Sequence, residues 1–414
     1  MNPTPFLDAK RAEELVVRTI DLARARGDRP LLAKLLWNKA QASFWQGAPD
    51  MGEPAALESA EIARAIGERD QLGYTLNTLG QIYREKPDLE GAERVLRESI
   101  ELFRETGNRP MEADSLSTMG FIHLYRSEWS AAVATGEEAF RISDALDNDW
   151  GRSYALFTPS FVQTELGDWG RALDSYERCV AFARRAGFTA AQTAVGSDLG
   201  LLYALAGDVD RGVAHLDGVV QMASAGMPQW LPWAQAQLAR VLVIKGDLDR
   251  ADEVLAQAVP RVHGRGNLYM AVDIALARAE LALARGHYAE AAEIATTDRR
   301  LATQRALTPF EKDFDLVAGA ALLRAGDLPG ARAALEVALT AVRASGSRRL
   351  LHAILGTLAA VARAEGGTEE AARLQREAAA EVDLIAASLR ARGLEERFRA
   401  RLAAAGVSAP AATL

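Results

Sequence analysis

Only one cysteine, Cys179, occurs in 414 residues. No disulfide can form within the chain, and no zinc site can rest on cysteine. One thiol fits a reducing compartment, and a cytoplasmic location is expected. Lysine is almost as scarce, with six: Lys10, Lys34, Lys39, Lys86, Lys245 and Lys312. Basic residues number 48 against 56 acidic ones, a net charge of -8. That balance opposes a general polyanion binder, because counterion release needs a basic surface; no nucleic acid is expected as partner. No apolar run approaches the roughly 18 residues a membrane helix needs, so no membrane partner is expected. The start, MNPTPFLDAKR, has no secretory pattern. No GxxxxGK[ST] loop and no HExxH occurs, and the glycines of HGRGN, Gly264 and Gly266, read as helix ends. No cofactor, metal or catalytic residue is assigned, and the chain is read as non-enzymatic.

What is abundant is repetition. Gly27, Gly67, Gly107, Gly187, Gly226, Gly266 and Gly346 fall on a ruler of 40 residues with one step of 39, and Asp147 and Ala306 fill the empty slots. A second ruler, Asp88, Glu128, Asp168, Asp208, Asp247, His287, Asp327 and Gly367, loses one residue in the same interval. Two series sharing one deletion, between Asp208 and Gly226, indicate stacked units. Within a unit, apolar residues recur at three and four, as in Ala172, Leu173, Tyr176, Cys179, Val180 and Ala183. Glycine ends such helices and Asp168 can cap one. Pro30, Pro54, Pro110 and Pro309 are placed near helix starts. Carboxylates are read as solvated helix faces. The five histidines lie in five different units, where no metal site can gather them.

Small residues mark where helices cross. On the first helix of each pair they are Ala40, Gly80, Gly120, Ser160, Gly200, Ala239, Ala279, Gly319 and Ala359. Twelve residues on come Gly52, Ala92, Ala132, Ala172, Gly212, Ala251, Ala291, Ala331 and Ala371. A third site holds Ser59, Ser99, Ala139, Cys179, Val219, Ala258 and Ala338. Large side chains there would push the helices apart.

This pattern resembles the tetratricopeptide repeat (TPR), as in LNTLGQIYREKPDLEGAERVLRESIELF and GSDLGLLYALAGDVDRGVAHLDGVVQMA. Tyr83 and Tyr203 occupy the family's aromatic slot, whereas His123, Gln163, Leu242, Ala282, Leu322 and Ala362 depart from it. The 40-residue period resembles the TPR-like arrays of bacterial multidomain regulators, including signal-transducing ATPases related to the maltose-regulon activator. The ending EEAARLQREAAAEVDLIAASLRARGLEERFRARL is similar to tails of proteins joining an ATPase or cyclase to such an array. The resemblance implies an all-α fold: an α-solenoid, a right-handed superhelix of about nine helix pairs. The expected organisation is an N-terminal helix over 1–29, the array over 30–387, and a C-terminal helix with a short disordered tail over 388–414. Opening in mid-unit, with Ala12 at a small site, reads as a cap or as the remnant of a longer chain, and the second is preferred.

The resemblance also implies that first helices line the inner surface. The groove candidates are then Trp37, Gln41, Phe44, Asn77, Gln81, Arg84, Phe121, Phe157, Phe161, Trp233, Gln237 and Arg240, with Ser117 and Thr164 beside them. Aromatics, amides and Arg suit a protein or peptide partner. The few lysines do not match the carboxylate clamp of TPR chaperone adaptors. The stretch Trp230–Trp233 reads either as an interaction edge or as packing beside the deletion. The function expected is protein or peptide binding within a bacterial regulatory or signalling protein. The alternative is a receptor for a small-molecule effector or signalling peptide that controls a transcription regulator.

Overall fold

Local spacing dictates antiparallel helix pairs, and the computed structural model, which describes residues 9–262, 268–304 and 306–404, contains twenty α-helices. No strand occurs among the described residues. The first helix, α1, spans Ala9–Arg26. Nine pairs follow: α2 (Arg29–Trp45) with α3 (Pro49–Ile66), α4 (Arg69–Glu85) with α5 (Leu89–Thr106), and α6 (Arg109–Tyr125) with α7 (Trp129–Ala145). Next are α8 (Asp149–Glu165) with α9 (Trp169–Arg185), α10 (Thr189–Leu205) with α11 (Val209–Gly226), and α12 (Leu231–Lys245) with α13 (Leu248–Val262). The last three are α14 (Leu268–Ala284) with α15 (Tyr288–Gln304), α16 (Thr308–Ala325) with α17 (Leu328–Ser345), and α18 (Leu351–Ala364) with α19 (Thr368–Leu389). A 3-10 turn, Arg390–Arg392, leads to α20 (Glu395–Ala404). Each even helix touches its hairpin partner and the next even helix, so the even helices form one continuous layer.

The small sites mark the tightest crossings. A Cβ on Gly80 would stand 2.5 Å from Leu96 Cγ, one on Gly200 2.5 Å from Leu216 Cγ, and one on Gly319 2.4 Å from Leu335 Cγ. The third site adds a bolt between the two helices of a pair. Ser59 Oγ donates to the Ala33 carbonyl at 2.7 Å, Ser99 Oγ to Gly73 at 2.9 Å, and Cys179 Sγ to Ser153 at 2.9 Å. Cys179 is buried and free, and burial pushes its thiol well above the ordinary range. On the outer layer, Arg24–Glu58, Arg64–Glu98, Arg104–Glu138 and Arg343–Glu377 form a ladder of ion pairs 34 residues apart. Such exposed pairs add only ~0–1 kcal/mol each.

Turn geometry follows the rulers even where glycine is missing. Asp147 and Ala306 adopt φ of 51° and 52°, the left-handed region that Gly27, Gly67, Gly107, Gly187 and Gly346 occupy. Gly226 departs: it ends α11 in helical geometry, and Met227–Trp230 form a longer turn, the local consequence of the deletion. Pro54 also differs from expectation. Helix α3 begins at Pro49, so Pro54 is its sixth residue and removes one interior hydrogen bond. Gly264, Gly266 and the 405–414 tail lie outside the described residues.

Contacts between successive turns of the coil join residues 182–218 apart in sequence, about five repeat units. Gln229 Nε2 donates to the Trp45 carbonyl, tying the α11–α12 turn back to α2. The backbone N–H groups of Arg348 and Arg349 donate to the Glu165 carbonyl at 2.6 and 3.0 Å. Arg401 Nε donates to the Leu205 carbonyl, and Arg392 pairs with Asp174 and Glu177. The last helices thus seat on α8–α10 and close the coil.

Candidate functional site

Because the coil closes, even helices distant in sequence face one another around a cavity of about 90 Å³. Phe121 and Tyr125 of α6, Phe157 and Phe161 of α8, Trp233 of α12 and Phe310 of α16 supply aromatic walls. Phe121 and Phe157 lie 4.8 Å apart between ring centroids, and Phe161 and Phe310 lie 6.3 Å apart. The guanidinium of Arg84 sits 4.8 Å from the Phe121 ring centroid.

Charge is arranged in pairs around these rings. Arg240 makes a bidentate contact with Glu280, both bonds at 2.8 Å, within the buried layer. Burial opposes its charge, but Glu280 outweighs that and holds Arg240 above its ordinary value. Arg349 forks onto Asp313 at 2.9 and 2.6 Å and gives its Nε to Glu165 at 2.6 Å. Glu165 also receives Lys312 at 2.7 Å and the Ser347 hydroxyl at 2.6 Å. Burial would raise the Glu165 carboxyl, yet Arg349 and Lys312 hold it down at about 2. Two lining carboxylates differ: Asp198 and Asp273 have no cation within ion-pair distance among the described residues. Burial pushes Asp273 up to about 7 and Asp198 well above the carboxylate range.

The groove candidates separate into two groups. Phe121, Phe157, Phe161, Thr164, Trp233, Gln237 and Arg240 come together on this cavity. Trp37, Gln41, Phe44, Asn77 and Gln81 sit on α2 and α4 away from it, whereas Arg84 of α4, outside the lining itself, lies over the Phe121 ring of its wall. Trp37 Nε1 and Gln41 Nε2 both donate to Thr78 Oγ1, and Phe44 packs on the N-terminal core. Asn77 is buried and donates to Asp114, Gln81 is buried, and Arg84 pairs with Glu85. Trp230 and Trp233 stack at 5.9 Å, with Trp230 also 6.4 Å from Trp45. This dipeptide-flanked turn therefore packs between coils while Trp233 reaches the cavity.

The solvated reading of the carboxylates fails at several positions, since Glu112, Asp114, Glu165, Asp273, Glu280, Asp313 and Asp315 are buried. The repeat itself carried a signal for some of them. Asp114, Asp273 and Asp313 all stand six residues before their small site, the register that also holds Trp233. Arg349, Asp198, Tyr125 and Phe310 follow no such register. Among the described histidines, His123, His215, His287 and His352 stay apart, and no group of three potential metal ligands occurs among the described residues. His263 lies outside those residues. No described helix is long and apolar enough to cross a membrane.

Asp114 offers a test of buried charge in this layer. Burial pushes its carboxyl up to about 7, with Asn77 partly offsetting this. A raised acid is favoured protonated in the fold, so its cost appears as pH climbs from about 4 to 7. Asp114→Asn is expected to raise stability by ~1–3 kcal/mol at pH 8, with the gain gone near pH 4. Urea unfolding at the two pH values checks this.

Residues 31–105 and 75–145 match the tetratricopeptide repeat family. No curated protein matches the chain. Among solved structures, a Rap protein complexed with Competence and Sporulation Factor is similar at a TM-score of 0.62 and 12% identity, over 86% of this chain and 99% of that one. The apo form of RapI gives 0.51 and 11%, over 81% and 93%. The apo quorum sensor NprR from B. thuringiensis gives 0.50 and 10%, over 81% and 100%. At these identities the likeness is one of fold. Taken with the buried small sites and the metered helix pairs, these matches place tetratricopeptide repeats over residues 31–145 and make the array as a whole similar in fold to the Rap proteins and to the quorum sensor NprR.

Proposed function

We propose that the chain is a non-enzymatic interaction module that holds a peptide or an extended protein segment within its coil, as the sensing part of a bacterial cytoplasmic regulator. One observation carries the reading: aromatic rings and ordered charges from α6, α8, α10, α12, α14 and α16 meet on one cavity. Aromatic walls supply apolar contact at low entropic cost, and fixed charge pairs supply orientation. The similarly folded Rap protein was solved in complex with Competence and Sporulation Factor, which supports a coil that holds a binding partner. The cavity, about 90 Å³, falls below the roughly 300–1,000 Å³ of pockets that enclose a whole drug-sized ligand. It suits the end of a side chain better than an entire metabolite.

The test is selection of peptides from a random library on the immobilised full chain, followed by affinity measurement by fluorescence polarisation. Phe121→Ala and Phe157→Ala are each expected to weaken the selected peptide at least about tenfold, in line with loss of a hot-spot aromatic. No enrichment from the library, or unchanged affinity in both variants, removes this reading.

A further inference from the structure

The charges lining the cavity do not balance. Its two guanidinium groups are consumed: Arg240 by Glu280, and Arg349 by Asp313 and Glu165. Two carboxyl groups remain on the wall of the same cavity, Asp198 on α10 and Asp273 on α14, and the Asp273 charge disfavours that of Asp198. Asp273 is 4% exposed and faces a cavity, where an uncompensated carboxylate is costly. Gln237 and Trp233 line the same cavity but bring no charge, and the Trp233 indole N–H has no hydrogen-bond partner among the described residues. The remaining wall is mostly aromatic rings and leucines, and ring faces attract cations. A partly open cavity with two acids outside any ion pair and with aromatic walls lacks one thing, a positive charge on an apolar stem.

We propose that this cavity receives the cationic end of a basic side chain, a guanidinium or ammonium group, seated between Asp198 and Asp273 against Phe157 and Trp233. The inference rests on the peptide-binding reading, since the side chain belongs to the bound peptide. Size agrees. A cavity of about 150 Å³ holds benzene, so one of about 90 Å³ takes an end group and leaves the rest of the ligand along the channel. The charged and titratable groups facing the pair are Arg240 on α12, Glu280 on α14, Asp313 on α16, Arg349 before α18, and the Tyr125 and Tyr176 phenols. With both acids pushed toward neutrality in the empty cavity, an entering cation draws them to ionise, so binding releases protons near neutral pH.

The test uses the full chain and propylguanidinium as the probe, with propylurea as its neutral isostere, by isothermal titration in two buffers of different ionisation enthalpy. Propylguanidinium is expected to bind at least tenfold more tightly than propylurea, with proton release. Asp198→Asn and Asp273→Asn are each expected to weaken it at least tenfold while thermal midpoints hold or rise, because each change removes an acid whose ionised form burial disfavours. Equal binding of the two probes, or full affinity in both variants, overturns the assignment. Pentapeptide pools with arginine, lysine or norleucine at the central position then separate the two readings. Retention of the basic pools over norleucine supports both. Peptide capture with no preference for the basic pools overturns the cation site and leaves peptide binding standing. Binding of propylguanidinium with no peptide retained upholds the site and overturns the peptide reading.

Discussion

Glu165→Ala is expected to cost ~3–5 kcal/mol of stability and to loosen the closed coil, the loss seen when one partner of a buried ion pair is deleted. The carboxylate is 1% exposed and serves Arg349, Lys312 and Ser347 at once. Its removal leaves Lys312 without that partner in a buried place and Arg349 held by Asp313 alone. Small-angle scattering should show a larger radius for the variant, and urea unfolding an earlier midpoint. The same group predicts acid sensitivity. Its folded pKa, about 2, lies below the ordinary 4.5, so its contribution is fully present above about pH 5 and is lost as pH falls toward 2. The linked free energy is on the order of 3 kcal/mol. Wild type should therefore open on acidification over that window, whereas Glu165→Ala should lose less there.

The second large effect is expected at Gly170. A Cβ at this position would stand 2.0 Å from the Ser388 carbonyl oxygen, a backbone atom that no rotamer change can move. Gly170→Val should separate the end of α19 from α9 and free α20, whose Phe398 rests edge-on against Trp169 at 5.3 Å. Overpacking of a closed seam costs ~1–3 kcal/mol and more where backbone must shift. The expected outcome is rapid amide exchange over residues 385–404 and faster trypsin cleavage near Arg390 and Arg392, with the early repeats unchanged. Gly356→Ala is the control. Nothing lies within 4 Å of a Cβ there, and α18 is helical through it. That change should be neutral or gain up to ~1 kcal/mol from lower unfolded-state entropy. Equal protection in Gly170→Val and wild type would contradict the seam.

Loss of the closure bears on function because the cavity is a product of it. Arg349 lines the cavity and also latches it, so peptide affinity should fall in Glu165→Ala even though its aromatic walls are intact.

Legibility from sequence differs by feature. The pairing of helices, the small sites and the left-handed turns follow from spacing within one or two units. Ala306 and Asp147 show how strongly, since the turn geometry persists without glycine. Part of the cavity lining was also readable: Phe121, Phe157, Phe161, Trp233 and Arg240 stand at set offsets from a small residue. The first two inner helices obey the same offset, yet Trp37 and Gln41 donate to Thr78, and Asn77 to Asp114, away from the cavity. Periodicity marks a face of a helix, and it cannot say what that face meets one coil later. The buried acids were misread for the same reason. A carboxylate at a position six before the small site looks solvated until the facing helix is in place.

The amino-acid order by itself determined a metered stack of helix pairs, because each contact that sets the period joins residues within about 40 positions and repeats along the chain. Tertiary structure alone decided where the coil shuts, because small rotations per unit accumulate over about five units before Arg349 reaches Glu165, 184 residues away. No local pattern records that sum, so which charges are compensated, and which two acids are left facing a cavity, exists only in the folded coil.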